Sequence, residues 1–205
     1  MIIRNIWAIG RSYSDHAKEL GNAVPSASGA PLVFLKAGSS ASVNSTEIEL
    51  PYFTGEVHHE VELALKFNAY LQVTEAAVAL DLTDRKVQNE AKKSGLPWTL
   101  SKSFHNACAV SAFFTVKKLD ELKDLRIRLW IDDELKQEGR TSQMIFSFES
   151  LIDYVKLHFP VCPGDLLLTG TPAGVGPLRE GDRVKAEIEG MITHTWKIRK
   201  EVPPA

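Results

Sequence analysis

Gly55-Glu56-Val57-His58-His59-Glu60-Val61-Glu62-Leu63-Ala64-Leu65 is the stretch on which both the fold and the chemistry turn. Val61, Leu63 and Leu65 alternate with Glu60, Glu62 and Ala64, the period of a half-buried strand. In a strand Glu60 and Glu62 point to the same side, and the neighbouring segments are strongly apolar. Two like charges on one partly buried face raise the free energy unless a cation or shared protons relieve them. A hard divalent ion is the simplest relief, because Mg²⁺, Mn²⁺ and Ca²⁺ all favour carboxylate oxygen. The ordinary alternative is the wet face of an antiparallel sheet, so a metal site needs a third ligand from elsewhere in the chain.

Outward from this strand, short strand-like runs dominate, each closed by Gly, Pro, Asn or Asp. Ile6 to Ile9 leads into Gly10-Arg11, and Leu32 to Leu35 leads into Lys36. Arg126 to Ile131 alternates before Asp132-Asp133, a pair that tolerates positive φ and suits a hairpin turn. Asp165 to Thr169 follows a Pro163-Gly164 turn, and Val184 to Glu189 follows Glu180-Gly181-Asp182. Helices are fewer. Asp84 to Ser94 ends in Lys92 and Lys93 before Gly95 and Pro97, a stop signal. Phe148, Leu151, Ile152 and Val155 have helical spacing behind a Ser147 cap. Ala37 to Ser45, rich in Gly, Ser and Ala, reads as a mobile surface loop. The pattern predicts a β-rich α+β fold rather than a doubly wound parallel one. The length of 205 residues suits a single domain over 1–205.

A net charge of −2, with no basic run, gives no electrostatic reason to expect nucleic acid or an anionic membrane as partner. No long apolar stretch follows Met1-Ile2-Ile3-Arg4, so a signal peptide or spanning helix is not expected. Cys108 and Cys162 have no C-x-x-C spacing and read as buried thiols of a reducing compartment, which predicts a cytoplasmic protein.

Four segments carry possible chemistry. In Ala79-Leu80-Asp81-Leu82-Thr83 one acid interrupts an apolar run, which makes Asp81 a natural third metal ligand or, equally, a cap for the following helix. His16 and Glu19 are neighbours if Ser14 to Glu19 is helical; a carboxylate beside imidazole fixes its tautomer for activating a water, though such a pair is also common on surfaces. Lys102 lies among small and apolar residues, placed either to neutralise an anion or to reach water, and Arg85 and Gln88 are spaced to extend over the same site. Finally, Leu168-Thr169-Gly170-Thr171-Pro172-Ala173-Gly174-Val175-Gly176-Pro177 presents hydroxyls and amides to an anion without the order of a P-loop. No nucleophile elbow is present. Metal plus general base is the chemistry with several independent supports.

Together these stretches resemble the fumarylacetoacetate hydrolase family, in particular its small acylpyruvase and oxaloacetate decarboxylase branch. The resemblance runs through Gly10-Arg11-Ser12-Tyr13-Ser14-Asp15-His16, Phe34-Leu35-Lys36, His58 to Leu63, Leu80 to Arg85, Gly95-Leu96-Pro97-Trp98, Lys102-Ser103-Phe104, Gln143 to Phe146, and Leu168 to Gly176. It implies a rolled mixed β-sheet or β-sandwich with a few short helices, a homodimer, and one Mg²⁺ or Mn²⁺ ion. By the same resemblance the metal ligands fall on Glu60, Glu62 and Asp81, and the water-activating pair on His16 and Glu19. The resemblance also implies that Lys102 is the family's active-site lysine and that Arg11, Gln88 and Thr171 contact substrate. Ser12, Ser14, Ala37 and Asp132-Asp133 depart from the family pattern at tolerant positions. A larger departure is Ala76 to Ala79, where the family completes a helix and a turn. Either the chain truly lacks that segment or the sequence omits residues there, and omission is the expectation, since a true deletion would strain the placement of Asp81 beside the glutamates. The implied reaction is metal-dependent hydrolysis of a carbon–carbon bond in 2,4-dioxo acids, with oxaloacetate decarboxylation or keto-acid tautomerisation as the alternatives at the same site.

Overall fold

The computed structural model describes residues 2–19, 21 and 23–203. Along the chain its elements are β1 (Asn5–Gly10), α1 (Ser14–Glu19), β2 (Leu32–Ala37), β3 (Ala41–Val43), β4 (Glu47–Leu50), β5 (Val57–His59), β6 (Val61–Phe67), β7 (Val73–Asp81), β8 (Thr83–Asp84), α2 (Arg85–Ser94), α3 (Thr99–Lys102), β9 (Cys108–Val110), β10 (Phe114–Thr115), β11 (Arg126–Ile131), β12 (Glu134–Arg140), α4 (Phe148–His158), β13 (Leu166–Leu168), β14 (Gly176–Pro177), β15 (Arg183–Ile188) and β16 (Ile192–Lys200). The large sheet runs β2-β1-β13-β6-β7-β9-β3, with β10 added beside β7. A second sheet runs β12-β11-β15-β16-β4, and a small one β14-β5-β8. The expected β-rich α+β architecture is what forms. The large sheet is mixed, since β1 with β13 and β3 with β9 are parallel among otherwise antiparallel pairs.

The two faces of the large sheet differ in the size of their residues. Val61, Leu63, Leu65 and Phe67 of β6, with Val78 and Leu80 of β7, join the main core against Ile127, Leu129, Ala186 and Trp196 of the second sheet and Leu151 and Val155 of α4. The opposite face carries Ala8, Ala64, Ala77 and Ala79, packed with Phe34 of β2 and Ala41 and Val43 of β3. Both edge strands therefore close on one cluster, and small side chains there let the sheet curl. The site lies at one end of this concave face.

The connection from β6 to β7 is a direct hairpin over 68–72, with Asn68 Oδ1 accepting from the Tyr70 and Gln72 amides. The strands pair from Val61 with Leu80 to Lys66 with Glu75, with one irregularity at Lys66/Phe67. The strain expected of so short a connection is absent at Asp81, because the hairpin takes up the shortness at its far end, where Leu71 has a φ of 56°. Ala37 to Ser45 is likewise not a mobile loop. It forms the end of β2, a 3₁₀ turn over Gly38–Ser40 and β3, and Gly38 is packed so closely that a Cβ would meet Ile3 O at 2.2 Å. Asp132 and Asp133 do form the hairpin turn, with φ of 48° and 69°. Cys108 is buried and Cys162 only half-buried. Among the described residues no helix is long and apolar enough to cross a membrane.

Candidate active site

Glu60 precedes β6 and Glu62 lies within it, so the strand's two-residue period sets both on the concave face beside Ala64. On β7 the same period sets Asp81 beside Ala79 and Ala77. The Asp81 amide donates to Glu60 O at 2.9 Å, which places these residues opposite each other across the pair. All three carboxylates are buried, and one oxygen from each lies within 4.8 Å of the others. Asp81 does not cap α2. Asp84 does, accepting from the Val87 amide at 3.2 Å.

Cations crowd the triad. Lys102, at the end of α3, donates to Glu60 Oε2 at 2.9 Å and to Asp81 Oδ2 at 2.6 Å. It is 2% exposed, so it does not reach for solvent. Arg85 donates to Glu60 Oε1 at 2.5 Å and to Gln88 Oε1 at 2.7 Å, which turns the first turn of α2 onto the site. Lys36 crosses the concave face from β2 to donate to Asp81 Oδ1 at 2.6 Å and to Leu82 O at 3.2 Å. The sequence reading gave Lys36 no role. Its only signal was a lysine on the same strand face as Phe34.

Burial works against every one of these charges, and the partners decide which survive. For Glu60, burial is outweighed by the Lys102 and Arg85 charges, which hold its carboxyl well below the usual range. For Lys102, burial is outweighed by Asp81 and Glu60, which hold its ammonium above the usual lysine range. Glu62 has no such relief. Burial, then the Asp81 and Glu60 charges, push it well above the carboxylate range, although the Gly170 amide donates to its Oε2 at 2.6 Å. Three oxygen-bearing acids with one uncompensated charge among them fit a hard divalent cation.

His16 and Glu19 meet as expected on α1, with Nδ1 and Oε2 3.3 Å apart. His16 is 6% exposed, so the pair is not a surface ornament. Glu19 also accepts from the Gly174 amide at 3.0 Å, tying α1 to the loop after β13. His16, the triad, Arg11, Arg85, Gln88, Lys92, Lys102, Trp98 and Thr171 line one narrow cavity of about 30 Å³. It shares Arg85 and Lys92 with an outer cavity of about 360 Å³ that also meets Glu19 and His58. Every candidate named from the sequence except Glu19 lines the narrow cavity, Glu19 meets His16 from the outer one, and Lys92 lines both.

A second unforeseen residue is Gln137 of β12. Its Oε1 accepts from the Val61 amide at 3.0 Å and lies 2.9 Å from His59 Nδ1; its Nε2 donates to Thr171 Oγ1 at 2.8 Å and Pro172 O at 2.9 Å. The Val61 amide can only donate and the Pro172 carbonyl only accept, so the orientation of the amide is fixed. Thr171 is then an acceptor toward Gln137, and its own proton has only a long contact of 3.4 Å to Pro172 O.

A family model described as "Fumarylacetoacetate (FAA) hydrolase C-terminal" matches residues 5–199. The chain is 41% identical over 207 positions to "Oxaloacetate tautomerase FAHD1, mitochondrial" of Bos taurus, covering 96% of this chain and 92% of the relative. That alignment is longer than the chain's own 205 residues, so the relative carries residues that this chain lacks. It is 40% identical over 201 positions to "Oxaloacetate decarboxylase, mitochondrial" of Dictyostelium discoideum, covering 93% and 91%. The structure of fumarylpyruvate hydrolase from Pseudomonas aeruginosa, in complex with Mn²⁺ and pyruvate, superposes with a TM-score of 0.88 at 28% identity, covering 97% of this chain and 91% of that one. The mitochondrial names of the curated relatives overturn the cytoplasmic expectation. Free thiols and a weakly charged surface are as compatible with one reducing compartment as with another, so they could not locate the chain. The matched residues extend over almost all of the sequence, and the chain belongs to the fumarylacetoacetate hydrolase family.

Proposed function

We propose that this enzyme hydrolyses a carbon–carbon bond of 2,4-dioxo acids, acylpyruvates such as fumarylpyruvate or acetylpyruvate, to pyruvate and a carboxylic acid. The observation that carries this reading is the carboxylate-oriented imidazole of His16 opening onto the cavity of the buried triad. Glu60, Glu62 and Asp81 would hold a Mg²⁺ or Mn²⁺ ion, which when bound polarises the 2-oxo group and lowers the energy of negative charge developing on it. Glu19 holds His16 Nδ1 as the donor nitrogen, which leaves Nε2 to take a proton from water. The hydroxide attacks the distal carbonyl, and the Lys102 ammonium stabilises the oxyanion that forms. The bond to the methylene carbon then breaks. The acyl group leaves as a carboxylic acid, and the pyruvate enolate takes a proton at carbon from the His16 imidazolium. Arg11, Arg85, Gln88 and the Thr171 hydroxyl orient the substrate.

A second reading uses the same residues on oxaloacetate, by decarboxylation or keto–enol exchange, and is favoured by the names of the relatives at 40–41% identity. Decarboxylation needs no attacking water. His16→Ala should therefore lower acetylpyruvate and fumarylpyruvate hydrolysis by about 10²–10⁴-fold while sparing most CO₂ release from oxaloacetate. Equal loss of both activities would overturn the assigned role of His16.

A further inference from the structure

The three acids of the triad are unequally supplied with hydrogen-bond donors. Glu60 is held by Lys102 and Arg85, and Asp81 by Lys36 and Lys102. Among the described residues Glu62 makes no ion pair and accepts only the Gly170 amide, at Oε2. An ionised carboxylate can accept about four hydrogen bonds, so Glu62 has the most unused capacity of the three. A donor without an acceptor lies close by, on Tyr13. That residue is 3% exposed, and among the described residues its hydroxyl has no hydrogen-bond partner. A buried hydroxyl left unpaired costs free energy that a phenylalanine in the same place would not. Tyr13 does not line the narrow cavity, so its hydroxyl is not placed to touch a substrate there.

Tyr13 is mounted firmly behind Glu62. Its backbone forms an antiparallel bridge with Met144, and its carbonyl accepts from the Ala17 amide at 3.0 Å. The neighbouring Ser12 carbonyl accepts from the Ile145 amide at 2.7 Å. Ser12 also abuts Gly170, where a Cβ would meet Ser12 Cβ at 2.4 Å, and the Gly170 amide is the one bonded to Glu62. Burial and then the Glu62 charge push the Tyr13 phenol above the usual tyrosine range, so it keeps the proton it has to donate. We propose that Tyr13 is a positioning residue of the metal centre, its hydroxyl donating through one buried water to the Glu62 carboxylate and fixing the direction in which Glu62 ligates. The hydroxyl and the carboxylate are not in direct hydrogen-bond contact, and a bridging water finds two polar partners in them. The inference rests on the preceding reading of the triad as a divalent-ion site and adds a residue to it.

Two measurements on the full chain separate this role from simple packing. Calorimetric titration with Mn²⁺ reads the affinity of the centre, and urea unfolding in chelator reads the stability of the fold without it. Tyr13→Phe keeps the ring and removes only the hydroxyl. It should weaken Mn²⁺ binding about tenfold or more, the usual consequence of losing an outer hydrogen bond to a metal ligand. In chelator the same variant should be at least as stable as the wild type, because what it loses there is an unpaired buried hydroxyl. A residue that only packed would behave in the opposite way, with stability falling and Mn²⁺ affinity holding. A smaller loss of affinity, or a loss of stability in chelator, would overturn the role of Tyr13 and leave the triad reading intact. Failure of the wild type to bind Mn²⁺ would overturn both.

Discussion

Glu62 is the residue on which the electrostatics of the site hinge. Its folded-state pKa is raised above the ordinary value of 4.5, so its contribution to stability is present below about 4.5 and is lost as pH rises through the raised value. Glu60 has the opposite sign. Its depressed pKa stabilises the fold above about 4.5, and that contribution is lost as pH falls. In chelator, the stability difference between wild type and Glu62→Gln, measured by urea unfolding, should therefore shift against the wild type as pH is raised above 4.5. A pH dependence identical in wild type and Glu62→Gln would contradict this account. The acids were legible in the sequence because strand alternation puts Glu60 and Glu62 on one side and because Asp81 breaks an apolar run. Lys36 was not, since a lysine at the end of a strand looks like a solvated terminus until its partner four strands away in the sheet is known.

At the scale of elements, Gln137 joins β12 to the start of β6 and to the loop after β13. Gln137→Leu leaves the Val61 amide without its partner and the Pro172 carbonyl with only the 3.4 Å contact from Thr171 Oγ1, each lost bond costing about 1–3 kcal/mol when buried. A loss of about 3 kcal/mol or more in urea unfolding is expected, with a raised KM because the Thr171 hydroxyl is no longer held. Destabilisation under 1 kcal/mol with unchanged kinetics would show that the network is dispensable. The β6–β7 hairpin offers a gain instead. Leu71 holds a left-handed φ of 56°, so Leu71→Asn should stabilise the protein by about 0.5–1 kcal/mol, read as a higher urea midpoint at the same slope. Local chemistry made several elements readable, including the Ser147-capped α4 and the Asp132-Asp133 turn. It misled at Ala37 to Ser45, where small residues signified close packing rather than freedom. Gly38 sits where Ile3 and Arg4 backbone leave no room for a Cβ, and no local pattern reveals a neighbour 35 residues away.

The curl of the whole sheet is what makes one site of these scattered residues. Alternation told which residues share a face but not that β2 and β3, at opposite edges, close over the same alanines. That closure brings Lys36 from β2, Arg85 from α2 and Lys102 from α3 onto acids of β6 and β7. A cation bound by the triad therefore ties the central strands of the large sheet, not a peripheral loop, and its binding energy should appear in global unfolding. At a Mg²⁺ or Mn²⁺ concentration of about 100 times Kd, linkage supplies about 2.7 kcal/mol. For a chain of this size each kcal/mol raises Tm by about 2–4 °C, so the shift should be about 5–10 °C. The same addition should slow amide exchange throughout β6, β7 and β13 together. Asp81→Asn should lose the thermal shift, because it removes a donor while keeping the side chain's shape. Protection confined to α1 and its loop, or a full shift retained in Asp81→Asn, would place the metal elsewhere and detach it from the centre of the fold.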